Sequence, residues 1–162
     1  LILWPYSSTS YLIIICYYLV LLYNVVEDVN NRFYKAFQSF SIEKMEKVWD
    51  HSDDAVCIHP GWDLFTGWLA IRESWMTIFQ NTERIQFIIT NAKVRAFENI
   101  VAVVVCLENI ETIINQDKIR MGVIATNIFE RQRIVRNDED EWLMIHHHGS
   151  PVSNYMPPNV SV

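Results

Sequence analysis

Residues 141–151 read Glu-Trp-Leu-Met-Ile-His-His-His-Gly-Ser-Pro. This stretch decides the fold because it closes a series of long strand-like segments, and Gly149 and Pro151 end it. Regular alternation along a strand predicts that Trp142, Met144, His146 and His148 share one face, and that Leu143, Ile145 and His147 share the other. We interpret the stretch as the last strand of a curved sheet that surrounds a pocket.

The chain upstream of this strand orders helices first and long strands afterwards. Apolar residues recur every three or four positions up to residue 80, and from residue 84 the period becomes two. The predicted helices cover residues 27–40, 42–49 and 67–80, and the predicted strands cover 55–59, 84–90, 92–97, 100–114 and 118–133. Residues 84–97 form either two strands or one strand with a bulge. This order predicts an α+β fold, with N-terminal helices packed on a strongly curved, mainly antiparallel sheet.

The composition predicts one globular domain and excludes several classes of protein. Of the 162 residues, 51% are hydrophobic and 20% are charged, which excludes a disordered chain. The net charge of −6 argues against nucleic acid and against an anionic membrane surface as partners. Cys16, Cys57 and Cys106 lack metal-ligand or redox spacing, so we expect free thiols in a reducing compartment, cytoplasmic or organellar.

The first 26 residues differ in composition from the rest of the chain. Residues 11–23 form an uninterrupted apolar run, and no Lys or Arg precedes it. A helix over residues 11–26 would span about 24 Å, less than the roughly 30 Å of a bilayer core. We expect residues 1–26 to lie outside the domain, as a membrane anchor, a signal-type segment or a non-native stretch. Only an anchor would make the protein membrane-bound.

Several short strings, taken in order, resemble the nuclear-transport-factor-2-like superfamily in its SnoaL-like branch. They are Asn31-Arg32-Phe33-Tyr34-Lys35-Ala36-Phe37, Cys57-Ile58-His59-Pro60-Gly61-Trp62, Gly67-Trp68, Ile71-Arg72-Glu73-Ser74-Trp75, Ala125-Thr126-Asn127-Ile128-Phe129 and the segment from Trp142 to Ser150. The last strand is also similar to the association domain of calcium/calmodulin-dependent kinase II, in which a Trp precedes a His-x-His-x-Ser ending. His146, His148 and Ser150 occupy those places here.

The resemblance implies a cone-like domain over residues 27–152, followed by a loose tail over 153–162. It implies a pocket between the helices and the sheet, and a homodimer or larger ring formed through the outer sheet face. Members include steroid isomerases, polyketide cyclases, dehydratases, transport factors and assembly modules, so the fold alone does not decide function.

His59 is the candidate catalytic base. The resemblance to the ketosteroid isomerases places their basic Asp just before a Pro, and here that residue is His59, before Pro60. Phe33 matches the position of their first-helix Tyr, while Tyr34 is expected to point elsewhere. Steroid isomerisation therefore lacks two of its groups, although a His with an ordinary pKa near 6.5 could still act as a base. A structural, hydrogen-bonded His59 is the alternative.

Two polar residues lie in the middle of predicted strands, Glu108 and Asn127. A buried carboxylate needs a partner, and a His across the pocket could supply it. A Glu108 on the outer face is the alternative, because Glu is seldom fully buried.

The remaining candidates for ligand contacts are Trp62, Trp75, His146 and His148. Trp62 follows the Pro-Gly turn and suits a pocket rim, whereas most Trp residues at helical spacing form core. Two His at i and i+2 could bind a metal if a carboxylate joined them, but no metal motif supports that, so we expect neither metal nor cofactor.

Two functions remain open on the sequence alone. The first is a pocket that binds a small, largely apolar molecule, with His-assisted acid–base chemistry of the isomerase, cyclase or dehydratase kind. The second is an assembly module without catalysis, as the similarity to the kinase association domain suggests.

Overall fold

The computed structural model describes residues 8–134 and 139–157. The helices are α1 (Ser8–Gln38), α2 (Ile42–Glu46) and α3 (Trp68–Asn81). The strands are β1 (Val56–Ile58), β2 (Leu64–Thr66), β3 (Arg84–Phe97), β4 (Val101–Ile114), β5 (Asp117–Ile134) and β6 (Glu139–Pro151). The predicted α+β class is confirmed, and residues 84–97 form one strand with a register shift between Thr90 and Lys93.

The six strands form one open sheet in the order β2-β1-β6-β5-β4-β3. All neighbours are antiparallel except β1 and β6, which run parallel. β2 lies between residues 60 and 66, where the residue pattern predicts neither a helix nor a strand. Asn115 and Gln116 connect β4 to β5 with positive φ angles of 50° and 69°, the backbone form that matches the twist of a tight hairpin.

The hydrophobic core lies between the helices and the inner face of the sheet. Its largest fully buried side chains include Phe33, Trp49, Trp75, Phe129 and Met144. They come from α1, the segment after α2, α3, β5 and β6, so the core joins the helical layer to the sheet.

Helix α1 is longer than the predicted helix over residues 27–40. It runs without interruption from Ser8, and both Leu22 and Val26 are buried in the core. The core therefore takes in α1 more than one turn before residue 27. Residues Tyr11–Gln38 of this helix are long and apolar enough to cross a membrane, a property that core helices and signal segments share.

A bulge in β6 overturns the predicted alternation of the last strand. Ile128 pairs with His146 and Phe129 pairs with Met144, so Ile145 is an extra residue without a partner on β5. The side chains before and after Ile145 are therefore out of phase. Trp142 and Met144 face the core, as does His147, whereas His146 and His148 do not share their face.

The segment after β6 also differs from the loose tail predicted from residue 153. The backbone N–H of Val152 donates to the Gly122 carbonyl at 2.9 Å. The ring of Tyr155 covers Gly122 in the space that a Cβ atom would occupy, and its hydroxyl donates to Asn109 Oδ1 at 2.8 Å. The chain thus remains attached to the outer sheet face as far as Tyr155.

Candidate functional site

A pocket of about 360 Å³ lies between the helices and the inner face of the sheet. Most of its wall is apolar, with Phe37 from α1, Ile78 from α3 and Ile85 from β3. Its polar members are His59, Thr77, Asn81, Thr82, Glu108, Thr112 and His147. An apolar cavity of this size with a few polar groups is typical of small-molecule sites.

Glu108 is a buried carboxyl group in this wall, with 3% of its surface exposed. Its Oε1 accepts a hydrogen bond from the Tyr34 hydroxyl at 2.8 Å. Burial raises the pKa of Glu108 to about 7, and the Tyr34 hydrogen bond only partly opposes that rise. Among the described residues no Lys or Arg pairs with it. The carboxyl therefore exchanges a proton near neutral pH.

A chain of buried hydrogen bonds links Glu108 to His147. Asn127 Nδ2 donates to the Tyr34 hydroxyl oxygen at 3.2 Å and to Asn30 Oδ1 at 2.8 Å. Asn127 Oδ1 lies 2.7 Å from His147 Nδ1. Burial lowers the pKa of His147 well below its ordinary value, and the neighbouring histidines add to this effect. His147 is therefore neutral at physiological pH.

His59 lies at the other end of the polar wall and is fixed by Ser74. Its Nε2 lies 2.8 Å from Ser74 Oγ, and Ser74 itself donates to the Ile71 carbonyl at 2.7 Å. Burial lowers the pKa of His59 to about 4. The centres of the His59 and His147 rings are 6.4 Å apart, so one small molecule could contact both.

A family model for the SnoaL-like domain matches residues 26–154. The chain belongs to this family. A provisionally assigned dehydratase of the NTF2-like family from Streptomyces avermitilis is 29% identical, with a TM-score of 0.70 over 82% of this chain and 97% of that one.

Two further relatives of this SnoaL-like chain have other names. A provisionally assigned calcium/calmodulin-dependent protein kinase type II association domain from Thiobacillus denitrificans is 28% identical, with a TM-score of 0.63 over 78% of this chain and 94% of that one. The F-box protein SKIP8 of Arabidopsis thaliana is 25% identical over 123 residues, which are 76% of this chain and 48% of that protein. The chain thus spans about half the length of this curated relative.

The SnoaL-like pocket brings together three of the predicted site residues, His59, Trp62 and Glu108. Trp62 lies at the rim, 43% exposed. Asn127 and Trp75 do not line the cavity but lie behind it, Asn127 against His147 and Trp75 against His59. The Trp75 indole N–H is buried and has no hydrogen-bond partner among the described residues.

His146 and His148 lie on the opposite side of the sheet from the pocket. His146 is half-buried and His148 is exposed, and their ring centres are 6.4 Å apart. Within residues 8–134 and 139–157, no three His, Cys, Asp or Glu side chains are grouped so that they could hold a metal ion.

Two residues of the site were missed or misjudged from the sequence. His147 was assigned to the other face because the bulge at Ile145 leaves no mark in the residue pattern. Tyr34 was expected to point away, yet it contacts Glu108, while Phe33 packs against Trp75 and His147. The predicted direct Glu108–His pair is wrong, because Tyr34 is the partner of Glu108. The available signal was that Tyr34 follows Asn30 by four residues and so shares its face of the helix.

Proposed function

We propose that the pocket binds a small, largely apolar molecule and that Glu108 transfers a proton to or from it. The observation that carries this proposal is a carboxyl group buried in an apolar pocket wall, with no Lys or Arg paired to it in the part of the chain that the structure describes. A general acid or base is most effective when its pKa is close to the working pH, and the pKa of Glu108 is about 7.

The pocket supports the chemistry of isomerases and dehydratases, in which a proton moves between carbon and oxygen. In a dehydration, protonated Glu108 gives its proton to a leaving hydroxyl, so that the C–O bond breaks and water departs. A C–H bond breaks beside it, its electrons form the C=C bond, and the Glu108 carboxylate left by the first transfer takes that proton, which restores the acid. The similarity to the Streptomyces avermitilis protein supports this class of reaction. His59, the predicted base, is neutral at pH 7, but a pKa of about 4 makes it a weak base.

Native mass spectrometry of the full chain, purified from its own host, tests the proposal. We expect a retained small molecule, and we expect Glu108→Gln to abolish turnover of that molecule while it still binds. Glu111→Gln is the matched control, because Glu111 lies on the same strand but pairs with Lys118 and Arg120 on the outer face. Full activity of the Glu108→Gln variant would refute the assigned role.

A second candidate function, an assembly module, is favoured by the outer sheet face. Ile88, Val105 and Ile124 are 48%, 37% and 42% exposed there, on three neighbouring strands. Apolar side chains clustered on an open sheet suit contact with a second copy of the chain. The similarity to the kinase association domain supports this proposal. We expect analytical ultracentrifugation to show a homodimer or larger ring that Ile124→Glu dissociates, and a monomeric wild-type chain would exclude it.

The apolar half of α1 is proposed to contact lipid. Leu12, Ile13, Ile14, Leu19 and Val20 are each 56% exposed or more, on all sides of the helix. A helix that is apolar on every side suits a bilayer better than a one-sided protein groove. We expect the full chain to float with phosphatidylcholine vesicles, whereas a variant with Leu12, Ile14 and Leu19 changed to Ser stays in solution. A wild-type chain that does not float would rule out this contact.

A further inference from the structure

The hydrogen bonds behind the pocket determine which nitrogen of His147 carries a proton. The Tyr34 hydroxyl gives its proton to Glu108, so its oxygen acts toward Asn127 as an acceptor. Asn127 donates its two amide protons to Tyr34 and Asn30, so the group that it presents to His147 is its carbonyl oxygen. His147 Nδ1 must therefore be the protonated nitrogen, since a carbonyl oxygen only accepts.

The second ring nitrogen of His147 is consequently an acceptor. Nε2 carries a lone pair and has no hydrogen-bond partner among the described residues, although His147 lines the pocket. Nearly all of the His147 side chain is buried, with 2% exposed. Nε2 is not among the described polar atoms that are both fully enclosed and unpaired, so it is open to the pocket, where a ligand or a water can supply the donor.

His59 also has one unprotonated ring nitrogen, and a separate set of hydrogen bonds determines which one it is. Ser74 uses its hydroxyl proton on the Ile71 carbonyl, so the bond between Ser74 and His59 must be donated by His59 Nε2. Its Nδ1 is then the unprotonated nitrogen, and its partner among the described residues is the Cys57 thiol at 3.8 Å, a weak donor. The pocket thus holds two neutral histidines, and each has one unprotonated ring nitrogen.

The residues that line the cavity also disfavour a negatively charged ligand. None of the described residues that line the cavity is Lys or Arg, and Glu108 is the carboxyl among them. An anionic ligand would enter an apolar site without a cation and beside a carboxyl group, which is costly. A ligand with only acceptor groups would leave His147 Nε2 unpaired.

We propose that the pocket selects neutral ligands that donate a hydrogen bond, phenols or alcohols on an apolar skeleton, and that His147 Nε2 receives this bond. The inference rests on the proposed function, for which it names the class of substrate. Asn127 is a positioning residue in this scheme, because it fixes the tautomer of His147 and touches no ligand.

A matched series of probes tests the choice of ligand. Naphthalene, 1-naphthol, 1-methoxynaphthalene and 1-naphthoate share one ring system and differ in their polar group. On the full chain at pH 7, we expect calorimetry to show 1-naphthol bound about fivefold tighter than 1-methoxynaphthalene, the gain from one neutral hydrogen bond. We expect 1-naphthoate to bind weakest of the four. His147→Phe should remove the preference for 1-naphthol, and His148→Phe, on the outer face, should keep it.

The outcomes separate this inference from the function on which it rests. If none of the four probes binds, the proposed small-molecule function fails and the choice of ligand fails with it. If the probes bind but 1-methoxynaphthalene or 1-naphthoate binds as tightly as 1-naphthol, only the inference is overturned.

A measurement on the unsubstituted chain does not depend on whether a variant folds. Nitrogen-15 NMR distinguishes a protonated ring nitrogen from a bare one, and we expect His147 to carry its proton on Nδ1. In the Asn127→Ala variant we expect the two ring-nitrogen shifts to approach each other as the tautomers mix. A proton on Nε2 in the wild type would reverse the direction of the hydrogen-bond chain and overturn the inference.

Discussion

The inner and outer faces of the sheet carry the same kinds of side chain in opposite environments. Glu108 and Glu111 lie on β4, three residues apart. Burial raises the pKa of Glu108 to about 7, whereas hydrogen bonds from Lys118 and Arg120 lower the pKa of Glu111. Glu108 therefore exchanges a proton at neutral pH, whereas Glu111 remains a carboxylate that pairs with Lys118 and Arg120.

The histidines of β6 show the same contrast between adjacent residues. His147 is buried against Asn127 and faces the pocket, and His148 is exposed on the outer face. The same residue type therefore reaches the pocket on the inner face and solvent on the outer face. Paired substitutions on the two faces test this view.

The largest effect is expected at Asn127. Asn127→Ala removes a residue that is fully buried and bonds to Asn30, Tyr34 and His147, so several buried polar groups lose a partner at once. We expect a loss of about 3–5 kcal/mol in the free energy of unfolding, measured by urea titration. Thr126→Ala, the neighbour on the outer face, should cost much less. Equal losses would remove the distinction between the two faces.

The next effect is the pH dependence that Glu108 adds to stability. Its pKa rises from 4.5 in the unfolded chain to about 7 in the folded one, so the folded state holds the proton more tightly between these values. This stabilisation is complete below pH 4.5 and is lost as the pH rises through 7.

Glu108→Gln should therefore match the wild type at pH 4 and exceed it at pH 8, by roughly 2–4 kcal/mol in the free energy of unfolding. The depressed pKa of His59 has the opposite effect on stability, but it is present in both proteins and cancels in the difference. Glu111→Gln should instead show a small loss that added salt removes. A flat difference between wild type and Glu108→Gln across this range would contradict the assignment.

A smaller effect is expected from the two histidines. His147→Phe keeps a ring against Phe33 but leaves Asn127 Oδ1 without its donor. We expect it to cost about 1–3 kcal/mol of unfolding free energy, measured by denaturant titration. His148→Phe should change it by less than about 0.5 kcal/mol, as is usual for exposed positions. A larger loss of unfolding free energy for His148→Phe in the monomer would contradict the exposed, non-structural position assigned to His148.

The smallest effect is expected where the outer face is covered. In Gly122→Ala the new methyl group would occupy the place of the Tyr155 ring, so we expect the C-terminal segment to detach from the sheet. The loss should be about 1 kcal/mol, because Tyr155 is only half-buried and one hydrogen bond, to Asn109, is broken. Faster proteolytic removal of the segment after residue 151 would show the detachment, and unchanged cleavage would contradict it.

The sequence predicted the order of helices and strands because each long element repeats its apolar residues at a clear period. The change of period at residue 84 marks the boundary between the helices and the long strands of the sheet. Each type of element shows its own period because it buries one face in the core. Glu108 shares its phase on β4 with the buried Val104 and Cys106, but the sequence left its burial open because Glu is seldom fully buried.

The sequence could not predict His147 or the partner of Glu108. Ile145 is a normal strand residue, and nothing in its side chain shows that β5 fails to pair with it. The contact between Tyr34 and Glu108 joins residues 74 positions apart, and it depends on the angle at which α1 crosses the sheet. Long-range geometry of this kind has no local signature in the residue pattern.

The uninterrupted α1 has a mechanical consequence for the pocket. Its 31 residues contain no Gly or Pro and form a rod about 46 Å long, without the residues at which helices usually bend. The exposed apolar half and the Tyr34 hydroxyl belong to this same rod. A force that tilts the N-terminal half of this helix would therefore strain the hydrogen bond between Tyr34 and Glu108. Contacts made by the first described turns of α1 would thus influence how firmly that carboxyl is held.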